Sequence, residues 1–161
     1  MTIKIGDRLP DVKFRVMTGE GPQVKTTDEI FKGKKVALFA VPGAFTNTCH
    51  KMHMPSITTN ANAIKAKGVD TIAVTSVNDV FVMKAWQRDT DPELQTLFLA
   101  DGMADFAKAI GLDIDLAAPG FGVRSKRYSM VVEDGVVKQL NVEDNPGVVE
   151  KSGGDTLLAQ L

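Results

Sequence analysis

Three short, continuous apolar runs, each closed by residues that end a strand and followed by a polar, helix-compatible stretch, constrain this chain more than any other feature. They are Val36-Ala-Leu-Phe-Ala-Val41, closed by Pro42-Gly43, then Thr71-Ile-Ala-Val-Thr75 and Thr96-Leu-Phe-Leu-Ala100. A strand with no polar alternation must be covered on both faces, as strands are at the centre of an α/β sheet. Val36–Val41 is therefore expected to be a central strand. After the second run, Asn78 or Asp79 can cap a helix on which Val82, Met83 and Trp86 fall near helical spacing. After the third, Met103 to Ile110 reads as a short helix ended by Gly111.

The rest of the chain fits the same β-α-β rhythm. Arg127–Glu133 and Val136–Val142 are β-rich runs joined by Asp134-Gly135, a two-residue hairpin turn. A last helix, opened by Asp155 and running to Leu161, would cover the sheet. At the other end, Val12-Lys-Phe-Arg-Val16 alternates as an exposed hairpin strand would. The expected architecture is a mixed central sheet with helices on both faces and an N-terminal hairpin extension, as in a thioredoxin-like fold. With 161 residues the chain reads as one domain over 1–161, large enough to bury one substantial core.

Charge excludes several classes of partner. Lys and Arg number 19 against 20 Asp and Glu, a net charge of −1, which leaves no electrostatic footprint for nucleic acid or an anionic membrane. No stretch approaches the ~20 apolar residues of a membrane span, and the start shows no signal-peptide core. The expected setting is the cytoplasm. A single cysteine, Cys49, excludes an intrachain disulfide, so the fold must rest on packing.

That cysteine stands where chemistry is easy to place. It follows the central strand in Pro42-Gly-Ala-Phe-Thr-Asn-Thr-Cys49-His-Lys-Met-His-Met-Pro55, where Thr46, Asn47 or Thr48 can each serve as a helix N-cap. Cys49 then lies in the first helical turn, whose unpaired N–H groups and dipole favour an anion and hence the nucleophilic thiolate. His50 and His53 flank it, and Cys49 and His53, four residues apart, share a helical face. No fourth ligand stands near in sequence, so a structural histidine is expected rather than a metal site.

The spacing Pro42-x-x-x-Thr46-x-x-Cys49 resembles the active-site signature of peroxiredoxins. The longer string Val-Pro-Gly-Ala-Phe-Thr before the cysteine and His53-Met-Pro55 after it are similar to the peroxiredoxin-five subfamily. So are Ser76-Val-Asn-Asp79 with Phe81-Val82 and Trp86, Arg124-Ser-Lys-Arg127-Tyr-Ser-Met, and Leu140-Asn-Val-Glu143, in that order. The resemblance implies a one-cysteine thiol peroxidase acting on hydrogen peroxide and alkyl hydroperoxides. It makes Cys49 the attacking residue, Thr46 the hydroxyl that hydrogen-bonds thiolate and peroxide, Pro42 the pocket wall and Arg127 the active-site arginine. Arg124 and His53 are implied to stand just behind these four. No metal or organic cofactor is implied.

The chain departs from that pattern at Asn47, where proline is common, and at Ser56, where glycine is. Val74 and Lys151 occupy stretches in which relatives often carry a second cysteine. The oxidised sulfur must then be resolved by an external thiol: glutathione, glutaredoxin or thioredoxin. The resemblance also implies noncovalent homodimers, for which the apolar Phe45 beside the site would serve. A redox-sensing interaction protein signalling through oxidised Cys49 is the rival reading, and a noncatalytic thioredoxin-like binding domain is the third.

Overall fold

A computed structural model describes residues 1–161. The central run forms β3 (Lys35–Ala40), and the other two apolar runs form β4 (Thr71–Ser76) and β5 (Leu97–Ala100). β3 pairs in parallel with β4, and β4 with β5, so each connection is a crossover that carries a helix. β1 (Lys13–Thr18) and β2 (Gly21–Thr26) form a hairpin, and β1 continues the sheet at β5. On the other side β8 (Tyr128–Glu133) pairs antiparallel with β3, and β9 (Val136–Val142) with β8. The seven-stranded order is β2-β1-β5-β4-β3-β8-β9, with β6 (Asp113–Leu116) and β7 (Gly122–Ser125) as a separate two-stranded ribbon. No helix is long and apolar enough to cross a membrane.

The period of two along β3 divides the interior. Ala37, Phe39 and Val41 face α2 (Met54–Ala66), α3 (Val80–Thr90) and α5 (Gly154–Ala159). Val36, Leu38 and Ala40 face α1 (Thr27–Phe31) and α4 (Asp105–Ala109). This is the thioredoxin-like sheet with helices on both faces that the apolar runs imply. Because residues 127, 129 and 131 alternate with Tyr128, Met130 and Val132, Arg127 is directed to the same face as Cys49, while Tyr128 goes to the other.

Several boundaries differ from the sequence reading. The third helix begins at Asp105, not Met103: Met103 is exposed, Ala104 is left-handed, and the Asp101 carboxylate accepts the N–H groups of Phe106 and Ala107. The last helix runs Gly154–Ala159, shorter at its end than expected. The N-terminal strand is only half exposed, since Phe14 and Val16 are buried against the sheet. Of the two candidate caps of α3, Asp79 fills the role, bonding the N–H groups of Phe81 and Val82. The Asp134-Gly135 turn forms as expected, with both residues at positive φ as the tight hairpin turn requires.

Candidate active site

The site starts where β3 runs out. The Val41 N–H still pairs with the Thr75 carbonyl, after which Pro42 to Thr46 make a tight connection. Asn78 holds it from the neighbouring strand end: its Oδ1 accepts the Ala44 N–H at 3.0 Å and the Ser76 hydroxyl at 2.7 Å. Gly43 is needed for close approach, because a Cβ there would lie 2.8 Å from Arg124 Nη1 and 3.0 Å from Thr46 Cγ2. Phe45 is pushed to φ 62°, a strained value that this over-determined loop sustains.

Helical backbone begins at Asn47, with the His50 N–H on the Thr46 carbonyl at 2.9 Å. None of the three candidate cap side chains acts as one. The Thr46 hydroxyl donates to the Gly43 carbonyl at 2.6 Å and the Thr48 hydroxyl to the Gly147 carbonyl at 2.8 Å, and no side chain caps the turn. The Thr46 proton thus goes to a carbonyl and not to the sulfur, and its lone pairs are left to accept from a ligand. Cys49–His53 then form a π-turn closed by the Met54 N–H on the Cys49 carbonyl. In a regular turn the ring of Pro55 would press on the Lys51 carbonyl, and the wider turn avoids this. It also sets both Cys49 and His53 into the interior, 1% and 0% exposed.

Arg127 joins them. It is 2% exposed, and burying a guanidinium costs several kcal/mol unless its donors are matched. All three nitrogens are. Nε donates to the Pro146 carbonyl at 2.9 Å, Nη1 meets His53 Nδ1 at 2.9 Å, and Nη2 donates to Cys49 Sγ at 3.0 Å. Since Arg127 can only donate, His53 Nδ1 is the acceptor, which fixes the tautomer: Nε2 carries the proton and gives it to the Ser152 carbonyl at 2.8 Å. Burial, reinforced by the Arg127 charge, lowers the imidazole pKa to about 4, so His53 is neutral near pH 7. A neutral His53 keeps the Nδ1 lone pair that accepts from the guanidinium.

The remaining candidates are close by but differently employed. Arg124, on β7, donates from Nη1 to the Pro42 carbonyl at 3.3 Å and from Nε to the Phe121 carbonyl at 3.0 Å, with its guanidinium 5.6 Å from the Phe121 ring. It braces the rim and does not touch the sulfur. Pro42, Thr46, Phe121, Arg127 and Pro146 line a cleft of about 290 Å³, and Arg127 links it to Cys49 Sγ. His50 turns away, stacking on Phe45 and accepting the Trp86 indole N–H at 3.0 Å. No three of the His, Cys, Asp and Glu side chains are grouped to hold a metal ion. The sequence reading missed Asn78 as the loop's anchor, and Pro146 and Ser152 as the carbonyls behind Arg127 and His53. The last two act through backbone atoms, which no side-chain pattern reveals.

The Redoxin family model matches residues 4–158. The chain is 41% identical to Peroxiredoxin-2C of Oryza sativa subsp. japonica over 99% of its length and 98% of that protein's. The solved structure of reduced Prx3 from Vibrio vulnificus in complex with H2O2 is similar at a TM-score of 0.94 and 48% identity, covering 99% of each chain. Peroxiredoxin 5 from Alvinella pompejana is similar at a TM-score of 0.86 and 32% identity, over 98% of this chain and 96% of that one.

Proposed function

The chain belongs to the peroxiredoxins of the Redoxin family and is a thiol-dependent peroxidase; from that premise we propose that Cys49 attacks hydrogen peroxide and alkyl hydroperoxides and that glutathione resolves the product. The observation that carries the proposal is the Arg127 guanidinium, which lines the cleft and donates from Nη2 to Cys49 Sγ at 3.0 Å. The Cys49 thiolate attacks one peroxide oxygen, an S–O bond forms, and the O–O bond breaks. The sulfur loses two electrons to the leaving oxygen, which takes a proton and departs as an alcohol or water. Arg127, with the free N–H groups of the first helical turn, stabilises the negative charge passing between sulfur and leaving oxygen. Thr46, whose own proton is spent on Gly43, accepts from the peroxide O–H and orients it. Pro42 walls the cleft, and His53 and Arg124 hold the catalytic arginine and the loop in place.

Resolution needs an outside thiol, because the chain has one cysteine. A glutathione thiolate attacks the Cys49 sulfenic acid, forming a mixed disulfide and releasing water, and a second glutathione thiol then frees Cys49 and leaves as glutathione disulfide. Cys49 is 1% exposed, so the π-turn must open for a thiol to reach its sulfur, and a small thiol demands least opening. Phe121 lines the cleft and Phe45 precedes Thr46 in the same loop; each is 46% exposed, apolar surface that supports pairing of two copies. Steady-state peroxide consumption with glutathione, glutaredoxin or thioredoxin in turn tests the reading. Many turnovers with glutathione are expected. Consumption of one equivalent per chain with every reductant would make the protein a sensor.

A further inference from the structure

Residues 143–152 leave β9 without helix or strand, yet their backbone is held closely at one point. Oε2 of Glu143 accepts the N–H groups of Glu150, Lys151 and Ser152 at 2.9, 2.8 and 2.8 Å and the Ser152 hydroxyl at 2.6 Å. The residue is 6% exposed. Its own N–H donates to the Arg127 carbonyl at 3.0 Å. One residue therefore grips the Arg127 backbone and closes the chain that follows it into a ring. The carbonyls of that ring face inwards: Pro146 takes Arg127 Nε, Ser152 takes His53 Nε2, and Gly147 takes the Thr48 hydroxyl from the turn that carries Cys49.

Two of the three bonds that aim the guanidinium thus depend on where this ring sits. We infer that Glu143 is a positioning residue of the peroxidase, its carboxylate closing the 143–152 ring so that Pro146 and Ser152 hold Arg127 against Cys49. The inference rests on the reading that Arg127 assists peroxide attack by Cys49. Without the carboxylate, three backbone N–H groups and a hydroxyl lose their acceptor, and the ring is free to swing. The charge matters as well as the shape. Burial works to raise the Glu143 carboxyl, but the Ser152 hydroxyl and the three N–H groups outweigh it and hold the group below its ordinary range, so the acceptor is an anion. A donor misplaced by a fraction of an ångström loses much of its value in a transition state.

The test is a double-mutant cycle on the full-length, reduced protein mixed with hydrogen peroxide and followed by Trp86 fluorescence. Glu143→Ala is expected to slow the peroxide step about tenfold and Glu143→Gln, which keeps an oxygen for the same donors, about threefold. In an Arg127→Ala background the same substitutions should change the rate by less than about twofold, because the group they position is gone. Equal slowing in both backgrounds, or no slowing with Arg127 present, overturns the inference. If circular dichroism shows Glu143→Ala unfolded, Glu143→Gln and Ser152→Ala carry the same cycle with the same criteria. Should Arg127→Ala itself react at the wild-type rate, the role of Arg127 falls and that of Glu143 with it. A slow Arg127→Ala beside an unaffected Glu143→Ala removes Glu143 alone.

Discussion

Arg127 Nη2 lies 3.0 Å from Cys49 Sγ, and both side chains are shut away from solvent. In water such a contact is worth little. In the interior it is strong, because no solvent competes for the sulfur and the guanidinium is fixed from behind by Pro146 and His53. The desolvation of the buried guanidinium is offset by acceptors on all three of its nitrogens, the Pro146 carbonyl, His53 Nδ1 and Cys49 Sγ.

The two arginines should separate sharply. Arg127→Ala removes a preorganised donor and is expected to slow the reaction with peroxide roughly a hundredfold. Arg124→Ala, which loses bonds only to the carbonyls of Pro42 and Phe121, should cost less than about tenfold. Stopped-flow fluorescence of Trp86, whose indole bonds His50 beside Cys49, reads both. Similar rates for the two variants would mean that the wrong arginine has been assigned.

His53 predicts a dependence of stability on pH. Its pKa falls from 6.5 to about 4 on folding, chiefly through burial. Between those values the unfolded chain binds a proton that the folded chain refuses. Stability therefore decreases as the pH is lowered from 6.5 towards 4, by about 3 kcal/mol for this group, and the full contribution is present above pH 6.5. Denaturant titrations at pH 7 and pH 4.5 should show the loss in the wild type and a much shallower slope in His53→Gln. Parallel slopes would show that His53 is not the group responsible.

Gly154 tests the packing behind the site. A Cβ at this position, the start of α5, would overlap the Ser56 carbonyl of α2, and the Gly154 N–H donates to Ser56 Oγ at 3.1 Å. Backbone cannot yield as a side-chain tip does, so Gly154→Ala should cost about 1–3 kcal/mol. Gly19, in the β1–β2 turn with open space around it, should accept Ala within about 0.5 kcal/mol. Urea midpoints at unchanged m-value measure both. A tolerated Gly154→Ala would mean that α5 is free to shift on α2.

How much of this was legible in the sequence follows from what each element needs. β3, β4 and β5 are buried on both faces, so their apolar runs announce them. The N-terminal hairpin is expected from Val12–Val16, but its second strand β2, Gly-Pro-Gln-Val-Lys-Thr on the sheet edge, is largely exposed and carries no alternation that would locate it. α1 has only five residues, too few for a period, though its Thr26 and Glu29 form a capping box that could have marked it. The ribbon β6–β7 is short and likewise silent. At the site, the helix-start position of Cys49 is read from the residues, while the roles of Thr46, Pro42 and Arg127 are what the peroxiredoxin resemblance implies; Pro42, Thr46 and Arg127 line one cleft, and Arg127 bonds Cys49. The π-turn has no sequence signature beyond Pro55, and it changes how Cys49 and His53 share a face. Glu143 was noticed within Leu140-Asn-Val-Glu143, but its partners are three backbone N–H groups and a serine nine residues on, a loop closure that only the folded chain displays.

The central claim, that Cys49 takes the oxygen and a small external thiol removes it, is tested most directly by intact-mass spectrometry after one equivalent of peroxide. Without added thiol the protein should gain one oxygen atom, located on Cys49, and should gain a second only at higher dose, as sulfenic acid passes to sulfinic acid. With glutathione present the product should be a single glutathionyl adduct on Cys49. A mass unchanged by peroxide, or oxygen found on methionine with Cys49 untouched, would contradict the account of attack. A disulfide-linked dimer through Cys49 as the main product would contradict the account of a buried sulfur reached only by small thiols.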